Sequence, residues 1–177
     1  MPFGIDGQVL GDNRDQWHAL VFGMTCRIYP DPMRCNPRPL WAALDKLGLG
    51  QPVMIGWWDA TSPVSIVESA TDGRGASVGP ARHVKATVFL SGETVAIAVA
   101  NWAPRQIRFQ LRMDWVRLRA LLPHKASLHD EGARLVAAPI EGFQRGGSWS
   151  MTSELTLRAK RSGREEGKLL ELRSSSS

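Results

Sequence analysis

The sequence predicts a mainly β protein: a C-terminal antiparallel β-sandwich over residues 51–173, preceded over residues 1–50 by a single β/α unit and followed by a disordered tail at 174–177. Three observations carry this reading. Gln106-Ile107-Arg108-Phe109-Gln110-Leu111-Arg112 alternates strictly, the period of a strand with one dry and one wet face. Val84 to Leu90 and Thr94 to Ala100 are apolar runs separated by Ser91-Gly92-Glu93, which is a hairpin pattern. Ahead of them an apolar run, a long Pro-rich loop and an amphipathic helix follow in the order of an α/β unit.

His18-Ala-Leu-Val-Phe22 ends at Gly23 and reads as a buried strand turning into a loop through Tyr29-Pro30-Asp31-Pro32 and Asn36-Pro37. Pro39 to Gly48 has proline in its first turn, apolar residues at 40, 41, 44 and 47, and glycine at its end, the marks of a short helix. Val53 to Trp58 is an apolar strand, and Ser69 to Arg82 a polar, glycine-rich loop. The small apolar arm Thr94 to Ala100 suits a strand buried on both faces. Trp115 to Leu118 fits a helical turn; Lys125 to Leu128, Arg134 to Val136, Glu154 to Arg158 and Lys168 to Leu172 are short strands. Turns every 8–12 residues over roughly 90 residues are what a sandwich requires.

Composition narrows the function. At 177 residues and 43% hydrophobic, the chain can bury one good core, or a domain plus the remnant of another. It has no run of 18 apolar residues, and Met1-Pro2-Phe3-Gly4-Ile5-Asp6 lacks the basic and apolar regions of a signal peptide, so the reading includes no membrane contact and leaves localisation open. Cys26 and Cys35 could bridge a loop or remain free thiols. No CxxC or HExxH spacing occurs, and no metal or other cofactor is expected. Residues 1–60 hold five Lys/Arg against six Asp/Glu and residues 61–177 hold 17 against 11, so the formal excess of +5 lies in the second part. Its densest cluster, Arg158 to Arg164, is broken by Ser162-Gly163 and followed by Glu165-Glu166, which suits a solvated turn better than a nucleic-acid surface.

Candidate chemistry gathers in the first 60 residues, where Gly23-Met24-Thr25-Cys26-Arg27, Asn36-Pro37-Arg38-Pro39-Leu40-Trp41 and Met54-Ile55-Gly56-Trp57-Trp58-Asp59 are dense in Gly, Pro, Arg and Trp. Glycine lets backbone approach closely, tryptophan offers a flat apolar face, and arginine a rigid fork of donors; together they suggest the rim of a sugar site. Trp57 and Trp58, adjacent on a strand, would point to opposite faces. Asp6 and Asp59 either hydrogen-bond sugar hydroxyls or satisfy backbone donors in their own turns. Trp41, Trp102 and Trp115 fit the core better than a ligand platform. His18, His83, His124 and His129 form no recognisable triad motif, though a small hydrolase built on them would reveal itself by losing activity on single His substitution.

The order of these blocks resembles a family of large bacterial glycoside-hydrolase-like proteins related to glycoside hydrolase family 123, some known only by an uncharacterised-domain label. The matching residues are Pro2-Phe3-Gly4, Trp17, Phe22-Gly23-Met24-Thr25 with Arg27, Pro37 to Trp41, Met54 to Asp59, Asn101-Trp102 and Ile140-Glu141-Gly142-Phe143-Gln144. The resemblance implies that residues 1–50 are the last β/α unit of a truncated (β/α)8 catalytic barrel and the rest its C-terminal β-sandwich. It places Arg27 at the C-terminal end of a barrel strand, where it would bind substrate or brace a carboxylate; a salt bridge to Asp31 or Asp12 is the alternative. Enzymes of that family are similar to other hexosaminidases in using an adjacent Asp-Glu pair on a barrel strand. Here that dipeptide occurs only as Asp130-Glu131 before Gly132, a turn, so the chain by itself is expected to lack turnover. Carbohydrate is then the partner of a longer, secreted or periplasmic parent, and self-association through the exposed barrel remnant is expected. The rival reading is a stand-alone carbohydrate-binding or adaptor module.

Overall fold

Period-two apolar patterning lays down two antiparallel sheets. The computed structural model describes residues 16–25, 37–69, 79–92, 94–122, 133–138, 140, 144, 147–151, 153–158 and 167–173. Strands β1 (Val53–Ile55), β2 (Val64–Glu68), β3 (Gly79–Pro80), β4 (Val84–Ser91), β5 (Thr94–Asn101), β6 (Ile107–Met113), β7 (Arg134–Ala137), β8 (Gly147–Ser150), β9 (Glu154–Leu157) and β10 (Gly167–Arg173) form a six-stranded sheet in the order β1-β4-β5-β10-β7-β8 and a four-stranded sheet in the order β3-β2-β6-β9. The hairpin closes as its sequence predicts, with Ser91 opposite Thr94 and Val84 opposite Asn101. In β6, Ile107, Phe109 and Leu111 are buried while Arg108 and Arg112 are exposed. Strand β8 was not legible, because Trp149 is its one large apolar residue.

One hydrophobic core lies between the sheets. Val84, Val88 and Leu90 of β4, and Val95, Ile97 and Val99 of β5, meet Ile107, Phe109 and Leu111 of β6 and Leu155 and Leu157 of β9. The opposite face of the six-stranded sheet is built differently. There β5 presents Ala96, Ala98 and Ala100, whose short side chains leave room for helices α1 (Gln16–Val21) and α2 (Arg38–Lys46) to pack through Trp17, Leu20, Val21, Leu40 and Leu44. This second core explains why β5 is apolar on both faces. Each fully buried side chain of this kind contributes about 1.5–3 kcal/mol.

Residues 18–22, expected as a strand, are therefore helical through Val21. A five-residue apolar run cannot distinguish a buried strand from a buried helix turn. The decisive signal is Gly23: at φ +73° it sits past the helix end, with its N–H on the Leu20 carbonyl (2.9 Å) and the Met24 N–H on the Ala19 carbonyl (2.9 Å). Helix α2 ends the same way at Gly48 (φ +68°), where the Gly48 N–H reaches the Asp45 carbonyl and the Leu49 N–H the Leu44 carbonyl. The described apolar residues of both helices pack against the sheet in this second core.

Buried polar groups fasten the layers. The Thr87 hydroxyl donates to the Val21 carbonyl (2.6 Å), satisfying a group the helix cannot, and His18 Nε2 pairs with the Asn101 carbonyl (2.9 Å). Asn101 donates to the carbonyls of Arg105 and Arg158 and accepts from the Ala103 N–H, all at 2.8 Å. Gln144 donates to the carbonyls of Ala138 and Leu169 and accepts from the Leu169 N–H. Asn101 and Gln144, two residues of the family-like motifs, thus act as structural joints. Helix α3 (Trp115–Leu121) is capped by Asp114, which accepts from the Arg117 N–H at 3.0 Å. The expected strand at 125–128, both cysteines, His124, His129 and the tail lie outside the described residues.

Candidate functional site

The site begins where β1 stops. Pairing with β4 ends at Ile55 opposite Val88, and the chain then turns instead of continuing as a strand through Trp58. Gly56 makes the turn possible: a Cβ there would overlap the Trp58 ring. The Asp59 N–H returns to the Gly56 carbonyl (2.9 Å), and Asp59 Oδ1 accepts from the Thr61 N–H (2.8 Å) and hydroxyl (2.7 Å). The Thr61 amide and then its hydroxyl hold the Asp59 carboxyl below its ordinary range, against a small opposing effect of burial. Arg117 of α3 donates to the Ala60 carbonyl at 2.7 Å and anchors the turn from the other side.

Trp57 and Trp58 consequently share one surface instead of facing opposite sides of a strand. They are 38% and 52% exposed and lie edge to face, with ring centroids 5.7 Å apart. Phe22, just past α1, stacks near-parallel on Trp58 at 5.7 Å and meets Trp57 edge-on at 6.4 Å. Behind it Trp102 lies edge-on to Phe22 (6.3 Å) and to His18 (4.3 Å), so the aromatic chain runs from a buried histidine to the surface. Lys85 of β4 places its ammonium 4.4 Å from the centre of the Trp57 ring. Val53 and Met54 of the edge strand are also exposed, and as neighbours in a strand they point to opposite faces of the sheet.

Beside this rim a groove of about 470 Å3 opens between β2 and β4, with Trp57, Ser65, Lys85 and Arg112 among its walls. Near one end, Glu68 accepts from the amides of His83 (2.7 Å) and Val84 (2.6 Å), and its second oxygen pairs with His83 Nδ1 at 3.2 Å. Burial pushes the Glu68 carboxyl up, but the two amides and the His83 ring outweigh it, leaving the group below its ordinary range. Among the described residues no three of His, Cys, Asp and Glu converge in a way that could hold a metal ion.

Of the residues singled out in the sequence, the structure brings Trp57, Trp58 and Asp59 together on one turn; Arg27 and Asp6 lie outside the described residues. Phe22 and Lys85 were not singled out. Phe22 lies within a family-like block, which was a usable signal, whereas Lys85 is one polar position in an apolar strand and nothing nearby in sequence points to Trp57.

Residues 36–172 match the family model described as glycoside hydrolase 123, C-terminal domain. The chain belongs to this family. In this glycoside hydrolase 123 C-terminal domain the match takes in α2, the Trp57–Asp59 turn and both sheets, while α1 lies ahead of it. No curated protein and no solved structure matches the chain.

Proposed function

We propose that the chain is the C-terminal portion of a glycoside-hydrolase-like protein, in which the two sheets form a β-sandwich that braces a (β/α)8 catalytic barrel and lends one edge to a carbohydrate site. Residues 1–50 lead from the end of that barrel into the sandwich, their two described helices lying on the six-stranded sheet, and Trp57 and Trp58, backed by Phe22, form the sugar-facing edge. Asp59 shapes the turn that presents them, and Arg27 and Asp6 join the same rim. The observation that carries the reading is the exposed aromatic rim, fixed by Gly56 and Asp59, in a domain that belongs to a glycoside hydrolase family. Fixed aromatic faces bind sugars because the apolar C–H faces of a pyranose ring lie against them without demanding new hydrogen bonds. Self-association through the barrel remnant would be aided by the exposed apolar residues of the adjoining edge, Met54, Trp57 and Trp58.

The test is quenching of tryptophan fluorescence by N-acetylhexosamine oligosaccharides. The wild-type chain should show saturable quenching, lost in Trp58→Ala and reduced in Trp57→Ala, with no release of product from aryl N-acetylhexosaminides by the chain alone. Unchanged quenching in both variants would refute the rim.

A further inference from the structure

We propose that the groove between β2 and β4 is a subsite for an acidic saccharide, in which Lys85 and Arg112 receive a carboxylate or sulfate while the sugar ring lies along Trp57. This rests on the carbohydrate reading above and adds the charge of the ligand.

The groove follows from strand lengths. β1 covers the outer edge of β4 only from Val88 to Leu90, and β3 covers that of β2 only at Val67 and Glu68, so the rest of each edge is left without a strand partner among the described residues, while β5 and β6 pair the inner edges throughout. Trp57 is swung over the gap by the turn after β1. The resulting space, about 470 Å3, falls within the roughly 300–1,000 Å3 of small-molecule sites. Its walls alternate function: Val67 and Ala81 are apolar, Ser65 supplies a hydroxyl, Trp57 a ring, and Lys85 and Arg112 positive charge.

The charge is one-sided. Among the described residues no carboxylate lines the groove, and Glu68, next to Val67 of its wall, already binds two amides and the His83 ring. Among the described residues neither Lys85 nor Arg112 forms an ion pair; Lys85 rests on the Trp57 ring. An ammonium on an aromatic face is held by a weak interaction that an anion can replace, whereas an arginine fork can grip a carboxylate or sulfate at two points. A neutral sugar would leave both cations without a ligand partner, which is the basis for preferring an anionic one.

The experiment titrates the full chain with a tetramer of galacturonic acid, with the same oligomer after carboxyl reduction, and with inorganic sulfate, following Trp fluorescence and calorimetry at two salt concentrations. The acidic oligomer should bind about tenfold tighter than its reduced form, the value of one charge-assisted contact. Lys85→Met and Arg112→Gln should each erase that preference, and Arg112→Lys should restore part of it, with thermal midpoints near wild type. Equal binding of both oligomers, abolished by Trp57→Ala, would overturn the acidic subsite while leaving the carbohydrate rim standing; binding of neither would overturn the acidic subsite, and the rim falls with it only if N-acetylhexosamine oligosaccharides also fail to quench. Sulfate binding as tightly as the acidic oligomer would show a plain anion site and refute the saccharide assignment. A preference unchanged in Lys85→Met and Arg112→Gln would place the ligand elsewhere.

Discussion

Trp17 and Trp58 both lie against a glycine whose Cβ would collide with them, Gly167 in one case and Gly56 in the other, yet Trp17 is 3% exposed and Trp58 52%. The seat is the same and the surroundings differ. Trp17 belongs to a helix pressed onto the alanine face of β5 and shares its cluster with Leu20, Leu40 and Leu44. Trp58 belongs to a turn at the sheet's edge and has Phe22 as its stacked partner. Trp58 thus keeps about half its surface open where Trp17 keeps almost none, and that contrast separates the structural tryptophan from the one assigned to ligand binding.

The largest expected effect tests the closed side. Leu20→Ala, at a fully buried position of α1, should cost about 2–5 kcal/mol in urea denaturation. A loss below about 1 kcal/mol would mean that α1 is not an integral layer. Next, the two glycine seats should respond differently to the same change. Gly167→Ala brings a methyl group against Trp17 and 2.7 Å from the Val99 carbonyl oxygen, and should destabilise by about 1–3 kcal/mol through overpacking. Gly56→Ala should cost less stability, because the exposed Trp58 ring can swing away, but should abolish sugar quenching. Equal stability losses at both sites would erase the distinction.

A pH experiment examines the join between the sheets. Glu68 titrates below its ordinary value of 4.5 in the folded chain, so its contribution is present above that value and is lost as pH falls through the folded pKa. Thermal midpoints should therefore show Glu68→Gln less stable than wild type at neutral pH, with the gap closing in acid. A gap independent of pH would assign the loss to hydrogen-bond geometry alone. The smallest effect belongs to the rim, where Trp58→Ala should cost about 0.5–1.5 kcal/mol, the value of an aromatic pair, while removing sugar binding.

The β elements were legible where periodicity was unambiguous: β6 alternates, β4 and β5 flank an evident turn, and β5 is apolar from Val95 to Ala100 because two cores claim it. The helix at 16–21 was not, because six buried residues leave no polar face to reveal a helical period; only Gly23 marked its end. At the rim, Trp57, Trp58 and Asp59 were visible as a local cluster, but their shared surface depends on Gly56 breaking the strand. Phe22, Lys85 and Arg112 are brought beside them by folding, across separations no sequence motif spans.

The most direct test compares the tryptophans within one molecule. Of the seven indole N–H groups, those of Trp57 and Trp58 should shift in nitrogen–proton NMR spectra on titration with an oligosaccharide, while Trp17 and Trp41, whose indole N–H is bound to the Thr25 hydroxyl at 3.0 Å, stay fixed. Shifts confined to Trp57 and Trp58 with one saturation curve would establish the rim as the binding face. Indole signals that do not move, or that move first at Trp17, would contradict it.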